Sequence, residues 1–273
     1  MEFALLGEKL GHSLSPQIHN LIFRKLGIEG KYDLLEIKKQ DLDDAIERLE
    51  DKYIGVNVTI PYKIAVMKKL TFISPEAKAI GAVNTIYFSK GERRGYNTDY
   101  FGFGRLLEHN AVTPLENKDV VVLGSGGAAR AVLQYLVDSG TKSITVATRS
   151  PQDATKKFSN FEALPKLKFV SYEQLIEQEG GALIVNTTPV GMYPYIDVSP
   201  LPQEVVARYA SAVDLIYNPV ETLFMSYAKA AGRSTCNGFY MLVAQAVAAE
   251  EIWLGREIQA GLIASIAQEI QGV

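Results

Sequence analysis

Short apolar runs alternate with stretches of helical periodicity through the first hundred residues of the chain. Apolar side chains recur at every third or fourth position in some stretches, which predicts helices, and form short runs in others, which predicts strands. Pro61 ends one of these runs, and Lys90 with Gly91 separates two others as a hairpin turn. Strands are predicted at residues 3–6, 32–37, 54–60, 83–88 and 93–96, and helices at residues 18–26, 41–49 and 101–109.

A second alternating series begins at residue 119, after a linker-like segment at residues 111–118. After Gly238 the pattern is wholly helical, over residues 241–253 and 257–270, and we expect these helices to pack back on the first domain or to bridge the two. The second series predicts strands at residues 120–123, 144–147, 168–170, 183–186 and 212–216, with a helix at 128–137.

The fold class is therefore α/β with two domains. An N-terminal βαβ substrate domain spans residues 1–100 and is completed by residues 238–273. A Rossmann-like, doubly wound parallel-sheet domain spans residues 101–237 and would bind a dinucleotide.

Composition narrows the class of partner. The 273 residues are 47% hydrophobic and 22% charged, and 28 basic against 31 acidic residues give a net charge of −3 with no basic stripe. We therefore expect a small-molecule substrate, no nucleic acid and no membrane. The single cysteine, Cys236, cannot form an internal disulfide, and the N-terminus lacks the pattern of a secretory leader, so a cytoplasmic location is expected. Three histidines and one cysteine at no ligand-like spacing predict no metal site.

A glycine-rich turn lies directly after the apolar run at residues 120–123 and directly before a helix. Its residues are Gly124, Ser125, Gly126, Gly127 and Ala128. A strand, such a turn and a helix bring backbone N–H groups and a helix N-terminus onto a pyrophosphate, although a short glycine pattern alone also serves tight packing. The turn predicts a dinucleotide site, and the residues before it would carry the substrate.

The end of the next predicted strand discriminates between nucleotides. An acidic residue there would bind the ribose 2′-hydroxyl of NAD, whereas an arginine suits the 2′-phosphate of NADP. This strand ends in Thr148, Arg149 and Ser150 with no acid, which favours NADP(H). Asp153 follows closely and would weaken a phosphate site, and Arg149 could instead be a solvated loop residue.

Ser13 and Ser15 stand before the first helix, with Ser15 at the expected cap and Pro16 at the first helical position. The simplest interpretation is a well-capped helix. Two hydroxyl groups beside a helix N-terminus also suit a small carboxylate. His12 and His19 lie nearby.

Polar residues interrupt the apolar strand that Pro61 ends. Asn57 and Thr59 would share one face of it, and Lys63 follows at the strand end, where α/β folds bind ligands. An isolated lysine is usually a surface residue, but Asp99 offers a carboxylate further along. An Asp–Lys pair can act as acid–base machinery, in which the ammonium protonates a developing alkoxide. The sequence alone does not show that the two residues meet.

Together these segments resemble the shikimate dehydrogenase family over nearly the whole chain. The matching segments follow the family's order and are widely separated, which makes the resemblance specific. They are residues 13–16, 57–63, 82–85, 97–99, 124–128, 186–192, 214–219 and 238–241, with Gln245.

The resemblance implies reversible NADPH-dependent reduction of 3-dehydroshikimate to shikimate, in the pathway to chorismate and the aromatic amino acids. Lys63 and Asp99 would be catalytic. The other implied substrate residues are Ser13, Ser15, Asn57, Thr59, Asn84, Tyr217 and Gln245. The implied cofactor residues beyond those of the glycine turn are Thr148, Arg149, Ser150, Thr187, Thr188, Gly238 and Met241. A monomer or homodimer is expected.

One segment departs from the family. Its phosphate-binding segment usually carries a second arginine shortly after the first, where this chain has Pro151, Gln152 and Asp153, so the preference for NADP over NAD is narrow. The main alternative is an NAD-preferring quinate or dual quinate/shikimate dehydrogenase. A non-catalytic nucleotide-sensing module is a weaker alternative, because a sensor has no need of Lys63 and Asp99.

Overall fold

The computed structural model describes residues 1–11 and 13–272, and its chain divides into two units. The first comprises Met1–Gly102 and Leu242–Val273, and the second comprises Phe103–Met241. The sequence-based boundaries lie after residues 100 and 237.

The described residues form twelve strands and eleven α-helices. The strands are β1 (Glu2–Gly7), β2 (Lys31–Glu36), β3 (Gly55–Val58), β4 (Phe72–Ile73), β5 (Thr85–Ser89), β6 (Glu92–Tyr96), β7 (Asp119–Leu123), β8 (Ser143–Ala147), β9 (Leu167–Val170), β10 (Gly181–Asn186), β11 (Tyr209–Asp214) and β12 (Ser234–Asn237). The helices are α1 (Ser15–Leu26), α2 (Leu42–Leu49), α3 (Pro75–Ile80), α4 (Thr98–His109), α5 (Gly127–Asp138), α6 (Pro151–Lys157), α7 (Tyr172–Ile176), α8 (Gln203–Val206), α9 (Leu223–Ala230), α10 (Phe239–Leu254) and α11 (Ala260–Gln271).

The first unit is built on a six-stranded mixed sheet in the order β2-β1-β3-β5-β6-β4. Strand β1 pairs in parallel with β2 and β3, whereas β3, β5 and β6 pair antiparallel. Side chains alternate along β1: Ala4 and Leu6 join one apolar cluster with α2, while Phe3 and Leu5 join another with Trp253 of α10. Both faces of the sheet are thus covered, and the predicted return of the C-terminal helices to the first domain is confirmed.

The second unit contains an all-parallel sheet in the order β12-β11-β10-β7-β8-β9. Alternate residues of β7 enter clusters on its two faces, Val120 and Val122 on one, Val121 and Leu123 on the other. Burial on both faces explains why the strands are near-continuous apolar runs. The strand order reverses at β7, which is the switch point where doubly wound sheets bind ligands. The predicted α/β class and Rossmann-like second domain are confirmed.

Some local predictions were wrong. Helix α1 has Leu14 rather than Ser15 at its N-cap, so Pro16 is its second rather than its first residue. The Ser15 N–H donates to Ser13 Oγ at 3.2 Å, so the hydroxyl two residues earlier supports the helix start. The strand predicted at 212–216 ends at Asp214, because the Asp214 carboxylate accepts the Ile216 N–H and turns the chain. Among the described residues, no helix is long and apolar enough to cross a membrane.

Candidate active site

Lys63 and Asp99 meet in the first unit. Lys63 Nζ donates to Asp99 Oδ2 at 2.6 Å, and the two side chains are 23% and 18% exposed. The pair is therefore withdrawn from bulk water and still accessible to a small molecule. A charge-assisted hydrogen bond of this length holds the ammonium in one place.

Both partners are fixed by their backbone. The Lys63 carbonyl accepts the Val83 N–H at 2.8 Å, and the neighbouring Tyr62 is buried and donates its hydroxyl to the Ile37 carbonyl. Asp99 lies in the first turn of α4, where the positive end of the helix dipole favours a carboxylate. The backbone contacts therefore fix where the Lys63 and Asp99 side chains meet.

A buried polar network begins at Thr98, the residue before Asp99. Asn84 Oδ1 accepts three hydrogen bonds, from the Thr98 N–H, the Thr98 hydroxyl and the Thr85 hydroxyl, at 2.7, 3.2 and 3.1 Å. Asn57 Nδ2 donates to Thr85 Oγ1 at 3.0 Å. Since its oxygen is saturated, Asn84 has its amide nitrogen left to donate to a ligand. Thr85 and Thr98, which sequence reasoning did not select, organise the predicted substrate residues.

The other predicted substrate residues of this unit occupy three elements. Ser13 and Ser15 are half-buried at the start of α1, and Thr59 follows β3, with its N–H bonded to the Leu6 carbonyl. Gln245 on α10 accepts from Thr98 Oγ1 at 3.5 Å, so α10 reaches the residue next to Asp99. Tyr217 belongs to the second unit, just after β11, where its ring meets that of Phe239 edge to face.

The glycine turn joins β7 to α5 in the second unit. Gly124 has a φ of +96°, and a Cβ on it would lie 2.7 Å from Thr188 Cγ2, so both conformation and space require glycine. A Cβ on Gly126 or Gly127 would meet nothing within 4 Å. Helix α5 begins there with no side-chain cap and no acidic residue in its first turn. No side chain thus occupies the N-terminus of α5, and the N–H groups of an uncapped helix start suit an anionic pyrophosphate.

A cavity of about 630 Å³ opens beside this turn. The Thr148 hydroxyl contacts the Ser125 hydroxyl at 3.1 Å, which joins the end of β8 to the turn. Arg149 lines the cavity, and so does Lys157 at the end of α6, whose Nζ donates to the Ser125 carbonyl at 2.8 Å. Sequence reasoning missed Lys157, because it lies eight residues after Arg149 and only the fold of α6 brings it to the turn. Two cations at this end fit a nucleotide with an additional phosphate.

The part of the cavity wall that Thr188 forms is supported by Asp214, a buried carboxylate that sequence reasoning did not select as a site residue. It accepts from Thr222 Oγ1 at 2.7 Å, the Ile216 N–H at 3.0 Å and Asn186 Nδ2 at 3.1 Å. Burial raises the pKa of Asp214 to about 6, although these hydrogen bonds act in the opposite direction. The sequence signal that could have identified Asp214 is an acidic residue at the end of an apolar strand.

Asn186 links Asp214 to Thr188, whereas Thr187 is held by β7. Its Oδ1 accepts from the N–H and the hydroxyl of Thr188, at 3.0 and 2.7 Å. Thr187 donates its hydroxyl to the Leu123 carbonyl at 2.7 Å, beside Gly124. Both threonines line the cavity and hold its wall against the glycine turn.

The remaining cofactor predictions lie around these elements. Ser150 is exposed at the start of α6, and Ala128 is exposed in the first turn of α5. A Cβ on Gly238 would lie 2.0 Å from the Leu215 carbonyl oxygen, which explains this glycine by close backbone approach. Met241 is buried in the apolar core of the second unit. Contact of these residues with a cofactor stays a prediction.

The described residues contain no group of three or more His, Cys, Asp or Glu side chains arranged to hold a metal ion. His12 lies outside the described residues, and His19 is buried against Glu250. The Lys–Asp pair of the first unit, together with the parallel sheet and open glycine turn of the second, defines a dinucleotide-dependent oxidoreductase of the α/β class.

Comparison with known proteins narrows this class. Residues 5–86 match the family model described as the shikimate dehydrogenase substrate binding domain. Shikimate dehydrogenase (NADP(+)) of Clostridium perfringens is 46% identical over 270 residues, which cover 98% of each chain. The chain belongs to the shikimate dehydrogenase family, as the sequence motifs predicted.

Solved structures agree. A chorismate mutase/shikimate 5-dehydrogenase fusion protein from Clostridium acetobutylicum superposes with a TM-score of 0.93 at 48% identity, covering 99% of this chain and 97% of that one. Shikimate 5-dehydrogenase from Thermus thermophilus, solved in complex with NADP(H) and shikimate, has a TM-score of 0.86 at 35% identity over 98% and 99% of the two chains.

Proposed function

We propose that this protein catalyses the reversible NADPH-dependent reduction of 3-dehydroshikimate to shikimate. The observation that carries the proposal is the 2.6 Å hydrogen bond between Lys63 and Asp99, set among half-buried and buried polar side chains. Family membership supports the same reaction, because its relatives bear that name.

The chemistry divides between cofactor and protein. When bound, NADPH supplies a hydride to the carbon of the ring ketone. Lys63 donates a proton to the ketone oxygen as negative charge develops there, so that the ketone becomes a secondary alcohol. Asp99 holds the ammonium in position and accepts from a neighbouring hydroxyl of the substrate. Lys63, neutral after the transfer, regains a proton from solvent. In the reverse direction neutral Lys63 is the base.

Substrate recognition follows from the remaining groups of the first unit. Ser13 and Ser15 provide two hydroxyl donors beside the α1 N-terminus, which suits a carboxylate. Asn84, whose oxygen is saturated, offers N–H to a hydroxyl oxygen. Asn57, Thr59 and Gln245 would complete the polyol contacts, and a substrate contact of Tyr217 stays a prediction from the sequence.

The cavity of the second unit would hold the dinucleotide. The glycine turn and the α5 N-terminus would bind the pyrophosphate, while Arg149 and Lys157 would bind the 2′-phosphate of NADP(H). Lys157 thereby provides the second cation that the segment after Arg149 lacks. The cytoplasmic location and the monomeric or homodimeric state remain predictions from the sequence.

Turnover of four substrate pairs tests the proposal. The purified protein is incubated with shikimate or quinate and with NADP⁺ or NAD⁺, and the absorbance of the reduced nicotinamide is followed. The shikimate–NADP⁺ pair is expected to give the highest kcat/KM. Faster turnover of quinate with NAD⁺ would instead support the quinate dehydrogenase, and absence of turnover with every pair would leave a nucleotide-sensing module.

A further inference from the structure

A buried ionisable pair lies behind the proposed substrate residues without taking part in the proposed chemistry. His19 on α1 and Glu250 on α10 are both 0% exposed, with 2.6 Å between Nδ1 and Oε1. Among the residues that the structure describes, neither His19 Nε2 nor Glu250 Oε2 has a hydrogen-bond partner. Such a pair is costly to bury, and a well-packed apolar pair of similar volume would often be equally stable. Stability therefore does not account for it.

The pair orients an aromatic ring. The imidazole of His19 stacks on the ring of Tyr32 with 4.0 Å between centroids and 10° between planes. Since Glu250 fixes the Nδ1 edge of His19, the imidazole has one orientation, and the face that it offers to Tyr32 is defined. Trp253 packs against the same imidazole at 5.7 Å. The stacked imidazole thus fixes one face of the Tyr32 ring.

Tyr32 in turn reaches the proposed substrate residues. It is only 6% exposed, and its hydroxyl donates to Asn57 Oδ1 at 2.6 Å. This bond fixes the Asn57 amide so that Nδ2 points to Thr85 Oγ1, at 3.0 Å, and so to the network around Asn84. Burial raises the pKa of Tyr32, the Glu250 carboxylate raises it further, and a hydrogen bond with Ser15 acts in the opposite direction. The phenol therefore remains protonated and available as a donor.

We propose that Tyr32 is a positioning residue for substrate binding, with its ring set by the His19–Glu250 pair and its hydroxyl setting Asn57. The inference rests on the proposed function, since it assumes that Asn57 binds the substrate. His19, Tyr32 and Glu250 lie outside the Lys63–Asp99 pair and would act on the substrate only through Asn57.

The first test removes the Tyr32 hydroxyl. Tyr32→Phe leaves Asn57 Oδ1 buried without its donor, which we expect to raise the KM for shikimate about five- to twentyfold and to change the KM for NADP⁺ less than about twofold. Tyr53→Phe is the matched control, because Tyr53 is also buried in the first unit and donates to Asp33 Oδ2 at 2.9 Å, remote from the network. Equal shikimate KM values for the two variants overturn the proposal.

A double-mutant cycle separates positioning from a general structural effect. In an Asn57→Ala background, Tyr32→Phe has nothing left to orient and is expected to change the shikimate KM less than about twofold. Full additivity of the two substitutions refutes action through Asn57. If the wild-type protein turns over shikimate and Tyr32→Phe has the wild-type KM, this inference alone is refuted. If the wild-type protein is inactive, the proposed function is refuted.

The buried pair is tested by two further variants. Glu250→Gln keeps an oxygen to accept from His19 and is expected to retain the wild-type KM. His19→Phe combined with Glu250→Met replaces the pair by apolar side chains, and we expect a folded protein whose shikimate KM rises at least about threefold. A folded double variant with the wild-type KM would refute the role of the pair. Tyr32→Phe decides the proposal if that double variant does not fold.

Discussion

Removal of the Lys157 ammonium is expected to weaken the binding of NADP⁺ and to leave the binding of NAD⁺ unchanged. Lys157 and Arg149 are the cations lining the described cavity, and Lys157 Nζ is held 2.8 Å from the Ser125 carbonyl. Because both side chains are exposed, one contact to a 2′-phosphate contributes about 1 kcal/mol rather than the larger value of a buried pair. At about 1.4 kcal/mol per tenfold, Lys157→Ala should raise the Kd of NADP⁺ about fivefold.

Isothermal titration with each oxidised nucleotide measures this without catalysis. The Kd of NAD⁺ should change less than about twofold, and the NADP⁺ effect should shrink at high salt because exposed charges are screened. Lys156→Ala is the matched control, since Lys156 is exposed on the same helix and does not line the cavity. Equal weakening of both nucleotides would mean that Lys157 acts through Ser125 or the pyrophosphate, and an unchanged NADP⁺ Kd would refute the reasoning.

Three other outcomes are expected. Lys63→Ala should lower kcat by about 10²-fold or more with a much smaller loss of shikimate binding, as for a general acid; a near-normal kcat with poor binding would make Lys63 a binding residue. Ser13→Ala should raise the KM for shikimate and leave the Kd of NADP⁺ unchanged in titrations, and equal effects on both ligands would contradict a carboxylate contact. The pKa of Asp214 is raised in the fold from its ordinary 3.8 to about 6, so its contribution to stability declines as pH rises between these values. The free energy of unfolding of Asp214→Asn, minus that of the wild type, should therefore rise by about 3 kcal/mol from about pH 4 to about pH 7. Urea unfolding at both pH values measures this difference, and a difference that does not change with pH would count against the reasoning.

The sequence predicted the fold well because its strongest signals are local. Apolar runs and the glycine turn specify the parallel sheet of the second unit, whose strands are buried on both faces. Short helices such as α7 and α8 were missed, because four or five residues contain too little periodicity.

The site was predicted less completely. Lys63 and Asp99 were selected as chemical types, but their hydrogen bond depends on pairing across 36 positions that no local pattern encodes. Tyr32 occupies a buried position of β2, as any core residue could, so its hydroxyl contact with Asn57 had no sequence signal. Lys157 was missed because only the helical fold of α6 brings its side chain to the glycine turn.

The first unit is discontinuous in the sequence. Its apolar cluster around Phe3 and Phe23 is closed by Ala249 and Trp253, which a ribosome makes only after the whole of residues 103–241. The contiguous second unit can therefore complete its core during synthesis. Residues 1–102, which are made earlier, keep part of their apolar surface uncovered until α10 has been synthesised. We therefore expect the second unit to complete its fold before the first, the reverse of the order in which their N-terminal segments are translated. Until then, the apolar side chains of residues 1–102 that Ala249 and Trp253 later cover remain exposed to other chains.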